Sequence, residues 1–138
     1  MRTLVCIDTS ASTHGTRDRA ARIDNKDVVA VIHFGSRARV VAGQGACVIP
    51  KHKKECGSNL GEALAVASRF WNEDAGGAGK TVVFTDGKVN MGWVVPERVA
   101  AMYRTDVPVE FVPIGDEPDT AFLTEVHRGI LAYQTGAG

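Results

Sequence analysis

Three apolar runs punctuate the chain, and each stops at a polar turn. Leu4, Val5, Cys6 and Ile7 end on Asp8; the β-branched run over 28–34 ends on Gly35; Thr81, Val82, Val83 and Phe84 end on Thr85, Asp86 and Gly87. Near-continuous apolar runs of this length fit strands covered on both faces. A fourth run, over 107–115, carries Pro108 and Pro113, which place it toward a sheet edge or confine its pairing to the middle. Residues 37–41 alternate polar and apolar, as an antiparallel edge strand does, and Gly35-Ser36 before them reads as a two-residue hairpin turn using the positive φ of glycine.

Between these runs the period changes to that of helices. Leu60, Ala63, Leu64, Ala67 and Phe70 or Trp71 follow i, i+3, i+4, i+7 spacing, with Ser58 as the predicted N-cap and the glycine-rich stretch 76–79 as the end. Pro96 opens a second helix with Val99, Ala100, Met102 and Tyr103 in its body. Asp119 or Thr120 caps a last helix whose face is Phe122, Leu123 and Val126; Gly129 ends it, and the run over 130–133 reads as a short final strand. Residues 13–25 read as one stunted helix with a thin face of Ala20, Ala21 and Ile23. Strands alternating with helices predict an α/β fold with a mostly parallel sheet and right-handed crossovers. At 138 residues this is one domain, 1–138, with room for one sizeable core.

Composition excludes several classes. Sixteen basic and sixteen acidic residues cancel, so no global field recruits nucleic acid or an anionic membrane. No apolar run approaches bilayer length, and no long apolar segment precedes Asp8. Three cysteines argue against a closed disulfide framework, and Cys6 reads as a small core hydrophobe. A reducing cytoplasm is the expected compartment.

The candidate chemistry lies where strands end. Asp8, Ser10 and Ser12 follow the first strand at alternate positions, at the carboxyl end where open α/β sheets place ligands. Their hard oxygens suit a magnesium-like ion; the alternative is a strand end followed by a capped helix. A parallel order brings Asp86 to the same rim, with Ser58 at a helix entrance. Other features read more plainly. His33 reads as a ligand or as a satisfied strand histidine, and its place inside the strand, away from the loop, favours the second. Lys51, His52, Lys53 and Lys54 form a solvated basic loop or a positive collar that steers an acidic partner. Cys47, His52 and Cys56 lack the spacing of a structural zinc site. Gly79-Lys80-Thr81 is no phosphate loop, since Asp74 stands where the first glycine belongs and a strand follows. Trp93, after Asp86, is either an exposed anchor or a cover over the sheet edge.

Three motifs in this order resemble the von Willebrand factor A domain with its metal-ion-dependent adhesion site. Asp8-Thr9-Ser10-Ala11-Ser12 fits D-x-S-x-S, with Gly15 where the family often has glycine. Gly57-Ser58-Asn59-Leu60-Gly61-Glu62-Ala63-Leu64 is similar to G-T-N-x-G-x-A-L with serine for threonine, and Thr85-Asp86-Gly87 fits T-D-G. The resemblance covers nearly the whole chain. It implies a three-layer Rossmann-like sheet of order 3-2-1-4-5-6, helices on both faces, and a divalent cation, Mg²⁺ or Mn²⁺ with Ca²⁺ as a third option, at the rim. In that picture Ser10 and Ser12 bind the ion directly, Ser58 binds directly or through water, and Asp8 and Asp86 act through bridging waters or bonds to the serines. An Asp or Glu from a protein partner fills the open position. Small bacterial forms of this kind work beside AAA+ ATPases of the MoxR type, which makes such an ATPase, or another protein of the same family, the implied partner.

Three functions compete on these residues. The first is a metal-dependent protein-interaction module without catalysis, with Trp93, Lys51, Lys53 and Lys54 as further partner contacts. The second is a metal-assisted hydrolase, for which the motifs offer no evident general base beyond His14. The third is a structural adaptor whose rim is never metallated.

Overall fold

The computed structural model describes residues 1–10, 23–45, 57–74, 76 and 78–136. The strands are β1 (Arg2–Asp8), β2 (Val28–Phe34), β3 (Ala38–Ala42), β4 (Gly79–Thr85) and β5 (Val109–Pro113); the helices are α1 (Leu60–Glu73), α2 (Pro96–Ala100) and α3 (Thr120–Gln134). One sheet runs in the order β3-β2-β1-β4-β5. Only the β2–β3 pair is antiparallel. The α/β class, the central apolar strands and the antiparallel edge are thus as the pattern predicts.

Each face of the sheet carries its own core. Leu4 and Cys6 of β1 and Val83 of β4 join Leu60, Leu64, Trp71, Val99, Leu123 and Val126 from the three helices. Val5, Ile7, Val31, Val82 and Phe84 form a second cluster on the opposite face. The helix expected over 13–25 lies largely outside the described residues; Asn25–Asp27 is a single 3₁₀ turn capped by the Asp24 side chain. Cys6 is fully buried, and burial pushes its thiol up to about 12, the behaviour of an inert core residue.

Four local expectations change. The run over 130–133 is not a sixth strand but the last turn of α3. Ile130 is buried whereas Leu131 and Tyr133 are exposed, so burial follows the helical spacing set by Leu123 and Val126. Gly129 therefore does not end the helix; it lies inside α3, where a Cβ would stand 2.7 Å from the Cβ of Ala100. The β2–β3 connection has three residues, with Phe34 opposite Ala38, and Gly35 does not adopt positive φ. Finally, α2 stops at Ala100, so Met102 and Tyr103 follow it. Tyr103 remains fully buried, its hydroxyl 2.9 Å from Thr81 Oγ1 and donating to Val107 O at 2.8 Å. The prolines of the fourth run sit, as expected, at the sheet edge, but they do not confine the pairing to the middle: Pro113 stands in register with Thr85, and Pro108 O accepts the Thr81 N–H at 2.9 Å.

Candidate metal centre

The site follows from strand alternation. In a strand, residues i, i+2 and i+4 share a face. Leu4 pairs with Thr81 and Cys6 with Val83, so one step further Asp8 and Thr85 project together on the helical face of the sheet. There Thr85 Oγ1 donates to Asp8 Oδ2 at 2.7 Å. The segment leading into α1 arrives from the same side, and Ser58 Oγ donates to the same oxygen at 3.2 Å. The other oxygen, Asp8 Oδ1, accepts the Ser10 backbone N–H at 2.8 Å. One buried carboxylate thus gathers β1, β4 and the entrance of α1.

Ser58 is not the N-cap of α1. Asn59 takes that role, its Oδ1 accepting the Glu62 N–H at 3.0 Å. The shift by one residue has a consequence for chemistry: it leaves the Ser58 hydroxyl to the rim. The Ser58 backbone is held in turn by the loop after β4. Its N–H donates to Asn90 Oδ1 at 2.8 Å, and its carbonyl accepts from the N–H groups of Asn90 and Met91, both at 3.2 Å.

Asp86 is buried beside this group. Its Oδ1 accepts the Lys88 N–H at 3.0 Å, and its carbonyl accepts the Asp119 N–H at 2.7 Å, tying the start of α3 to the rim. Gly87 follows with φ +74°; a Cβ there would lie 2.7 Å from Asp119 O. Asp8 titrates above the usual carboxylate range. Burial is the main cause, hydrogen bonds from Thr85 and Ser10 oppose it, and the nearby Asp86 charge adds to it. Two acids drawn out of water beside each other favour a bound cation, which compensates both.

The donor set fits a hard divalent ion. It combines hydroxyl and carboxylate oxygens; among the described residues no group of three or more His, Cys, Asp or Glu is gathered as a metal site, so the fit rests on the serine hydroxyls together with the two acids. Thr9 Oγ1, next to the cluster, is buried without a hydrogen-bond partner among the described residues. Of the expected ligands, Asp8, Ser10, Ser58 and Asp86 come to one rim. Ser12 lies outside the described residues, as do Lys51, Lys53, Lys54, His14, Cys47, His52 and Cys56. His33 is buried in β2, paired in register with Ile7 and so on the face opposite Asp8. Trp93 lies in the loop after Asp86, 49% exposed, its Cδ1 3.8 Å from where a Cβ of Gly61 would be.

Two residues of the site escaped the sequence reading. Thr85 was visible as part of T-D-G, and the shared parity of Asp8 and Thr85 would have assigned it. Asn90 had no such signal, because nothing local says which backbone amide a loop asparagine will accept.

No protein-family model matches the chain, and no curated protein matches it. Solved structures do. An aerotolerance-related membrane protein from Bacteroides fragilis, carrying multiple mutations to serines, is 16% identical with a TM-score of 0.66; the match covers 94% of this chain and 87% of that one. The conserved hypothetical protein BatB from Bacteroides thetaiotaomicron is 16% identical with a TM-score of 0.67, over 94% and 86%. Proximal thread matrix protein 1 from the mussel byssus, with a zinc-occupied MIDAS motif, is 18% identical with a TM-score of 0.64, over 91% of this chain and 38% of that one. The likeness is one of fold, and it is the von Willebrand factor A type of fold that the three motifs imply. No helix among the described residues is long and apolar enough to cross a membrane.

Proposed function

We propose that this chain is a metal-dependent protein-interaction module that captures an acidic side chain of a partner. The observation that carries the reading is the convergence of Ser10, Ser58 and Thr85 on the buried carboxylate of Asp8, with Asp86 beside it. Asp8, Ser10, Ser12, Ser58 and Asp86 would hold a divalent cation, Mg²⁺ or Mn²⁺, at the carboxyl end of the sheet. When bound, the ion supplies a positive centre that uncharged hydroxyl ligands quench poorly, so that it attracts a further carboxylate.

The chain's own residues act by positioning. Asp8 orients the Ser58 hydroxyl and the Ser10 backbone; Thr85 fixes Asp8; Asn90 fixes Ser58. The MIDAS motif of the mussel protein is described with zinc, which supports a divalent ion of some kind at a rim of this fold. The proposed role is binding without turnover. Among the described histidines, His33 lies on the opposite sheet face and His127 packs its ring against Phe111, so neither stands as a general base at the cluster. A cytoplasmic protein partner presenting Asp or Glu fits the reading, an AAA+ ATPase of the MoxR type or another protein of the same fold among the candidates.

Thermal unfolding with and without Mg²⁺, Mn²⁺ and Ca²⁺ tests the cation. A ligand bound only by the folded state stabilises it by RT ln(1 + [L]/Kd), about 2.7 kcal/mol at a hundredfold excess over Kd. The melting temperature should rise with at least one of these ions and return with EDTA. No rise with any of them at millimolar concentration would leave the metal-free adaptor as the better reading.

A further inference from the structure

Four large apolar side chains stand exposed on five consecutive residues beside the candidate centre. Met91, Trp93, Val94 and Val95 are 40%, 49%, 50% and 49% exposed. Scattered exposed hydrophobics are ordinary, but a contiguous patch marks a contact surface. This one is fixed in place. Its first residue, Met91, and the preceding Asn90 donate their N–H groups to Ser58 O, the Asn90 side chain accepts from Ser58 N, and the Arg98 guanidinium lies 5.2 Å from the centroid of the Trp93 ring. Glycines let it lie close: a Cβ on Gly57 would collide with Met91 Cγ, and one on Gly92 would meet Asn59 Oδ1 at 2.5 Å. The patch is therefore built onto Ser58, the same residue that faces the rim.

Charge says what covers it. Lys88, exposed and bonded through its backbone to Asp86, and Arg98, over Trp93, flank the apolar residues with positive charge; the exposed Glu97 beside Arg98 lines the groove between α2 and α3 with Arg104 and Arg128. A partner that is acidic where it meets the rim is complementary to Lys88 and Arg98.

We infer that the occupant is a protein segment in which the captured Asp or Glu is followed by a bulky aliphatic or aromatic residue, and that Met91, Trp93 and Val94 receive that side chain. The inference rests on the reading of the rim as an acid-capturing centre and adds the neighbouring specificity. An acid alone gives little discrimination among the many acidic loops of a cell; an adjacent apolar contact supplies it. Covering a leucine-sized side chain on a half-exposed surface corresponds to roughly tenfold in affinity.

The test uses beads densely displaying Gly-Asp-Leu-Gly, Gly-Asp-Gly-Gly or Gly-Asn-Leu-Gly, so that weak contacts are amplified by multivalency. The protein is applied with Mn²⁺ or with EDTA, and its melting temperature with Mn²⁺ is measured in parallel. The expected result is Mn²⁺-dependent retention on Asp-Leu beads about tenfold above Asp-Gly beads, with none on Asn-Leu beads. Trp93→Ala and the exposed Val94→Asp should each erase the preference for leucine while keeping the Mn²⁺-induced rise in melting temperature. Equal retention on Asp-Leu and Asp-Gly beads, or retention on neither, with that rise intact, overturns the apolar specificity and leaves the cation reading standing. Absence of a rise with Mn²⁺, Mg²⁺ and Ca²⁺ alike defeats the cation reading itself. Retention on leucine beads regardless of Asp, Asn or EDTA overturns the coupling of patch to rim.

Discussion

Thr85 Oγ1 donates to Asp8 Oδ2 at 2.7 Å across neighbouring parallel strands. Both residues are fully buried, so this bond is made without competition from water. The same hydroxyl accepts the Gly87 N–H at 3.2 Å, which places one side chain between the acid of β1 and the turn that carries Asp86.

Thr85→Val keeps the shape and removes the hydroxyl. It leaves Asp8 with one donor fewer and the Gly87 amide without its acceptor. Losing a bond to a buried charged group while stranding a polar atom costs about 1–3 kcal/mol. The chemical-denaturation midpoint should fall accordingly with an unchanged slope, and the gain from Mn²⁺ should shrink, because Asp8 is no longer held toward Ser58. An unchanged midpoint would show that the bond contributes nothing net.

Asp8 gives a prediction in pH. Its folded pKa is raised, chiefly by burial, so the folded chain holds this proton more tightly than the unfolded one. In metal-free buffer its contribution to stability is then fully present below the unfolded value, about 3.9, and lost as pH rises through the folded value. Asp74 works the other way. Its carboxyl lies below the usual range through its bond to Arg2, so its contribution is lost only as pH falls through that depressed value. Asp8→Asn removes the first effect and spares the second. Wild type and Asp8→Asn melting temperatures, compared in EDTA, should diverge as pH is lowered from neutral toward 4, with wild type gaining on the variant. Above neutral pH Asp8→Asn should be no less stable than wild type in EDTA, and it should lose the Mn²⁺-dependent rise.

Much of this architecture was legible because the signals were redundant. β2 was bounded by turn residues on both sides, the α1 face repeated over four turns, and the two prolines marked β5 as an edge. The failures occurred where a short local pattern admits two periods. The run over 130–133 is apolar enough for a strand, and only its continuity with Leu123 and Val126 makes it helical. Gly129 looked like a helix end because sequence cannot show that Ala100 lies against it. At the site, the acids and serines were readable as hydroxyl and carboxylate oxygens at strand ends. Their support was not: the choice of Asn59 over Ser58 as the cap, and the reach of Asn90 to Ser58, depend on distances set by other segments.

Asn90→Ala tests that support. Removing Oδ1 leaves the Ser58 amide without its side-chain acceptor, a loss of about 1 kcal/mol, while the two backbone bonds from the loop to Ser58 O remain possible. The fold should persist with a melting temperature a few degrees lower. The larger effect should fall on the cation, since Ser58 Oγ is placed by the backbone that Asn90 holds. Calorimetric titration with Mn²⁺ should show weaker binding than for wild type; equal affinity would remove Asn90 from the positioning set.

Gly87→Ala and Gly129→Ala separate two reasons for a glycine. At Gly129 the backbone is helical, so alanine gains about 1 kcal/mol of helix propensity but drives a methyl to 2.7 Å from Ala100 Cβ. Overpacking between rigid Cβ atoms costs about 1–3 kcal/mol, so the net effect is a modest destabilisation that leaves the rim untouched and the Mn²⁺ gain intact. At Gly87 no propensity gain offsets the strain. Its φ of +74° costs alanine about 1 kcal/mol, and the added Cβ meets the Asp119 backbone carbonyl at 2.7 Å, which no rotamer change can relieve. Relief requires moving either the start of α3 or the turn that holds Asp86, and the Asp119 N–H bond to Asp86 O ties the two together. Gly87→Ala should therefore lower both the melting temperature and the Mn²⁺ affinity, whereas Gly129→Ala lowers only the first. If the two variants prove indistinguishable by Mn²⁺ titration, the link from α3 to the candidate centre through Asp86 has no energetic weight.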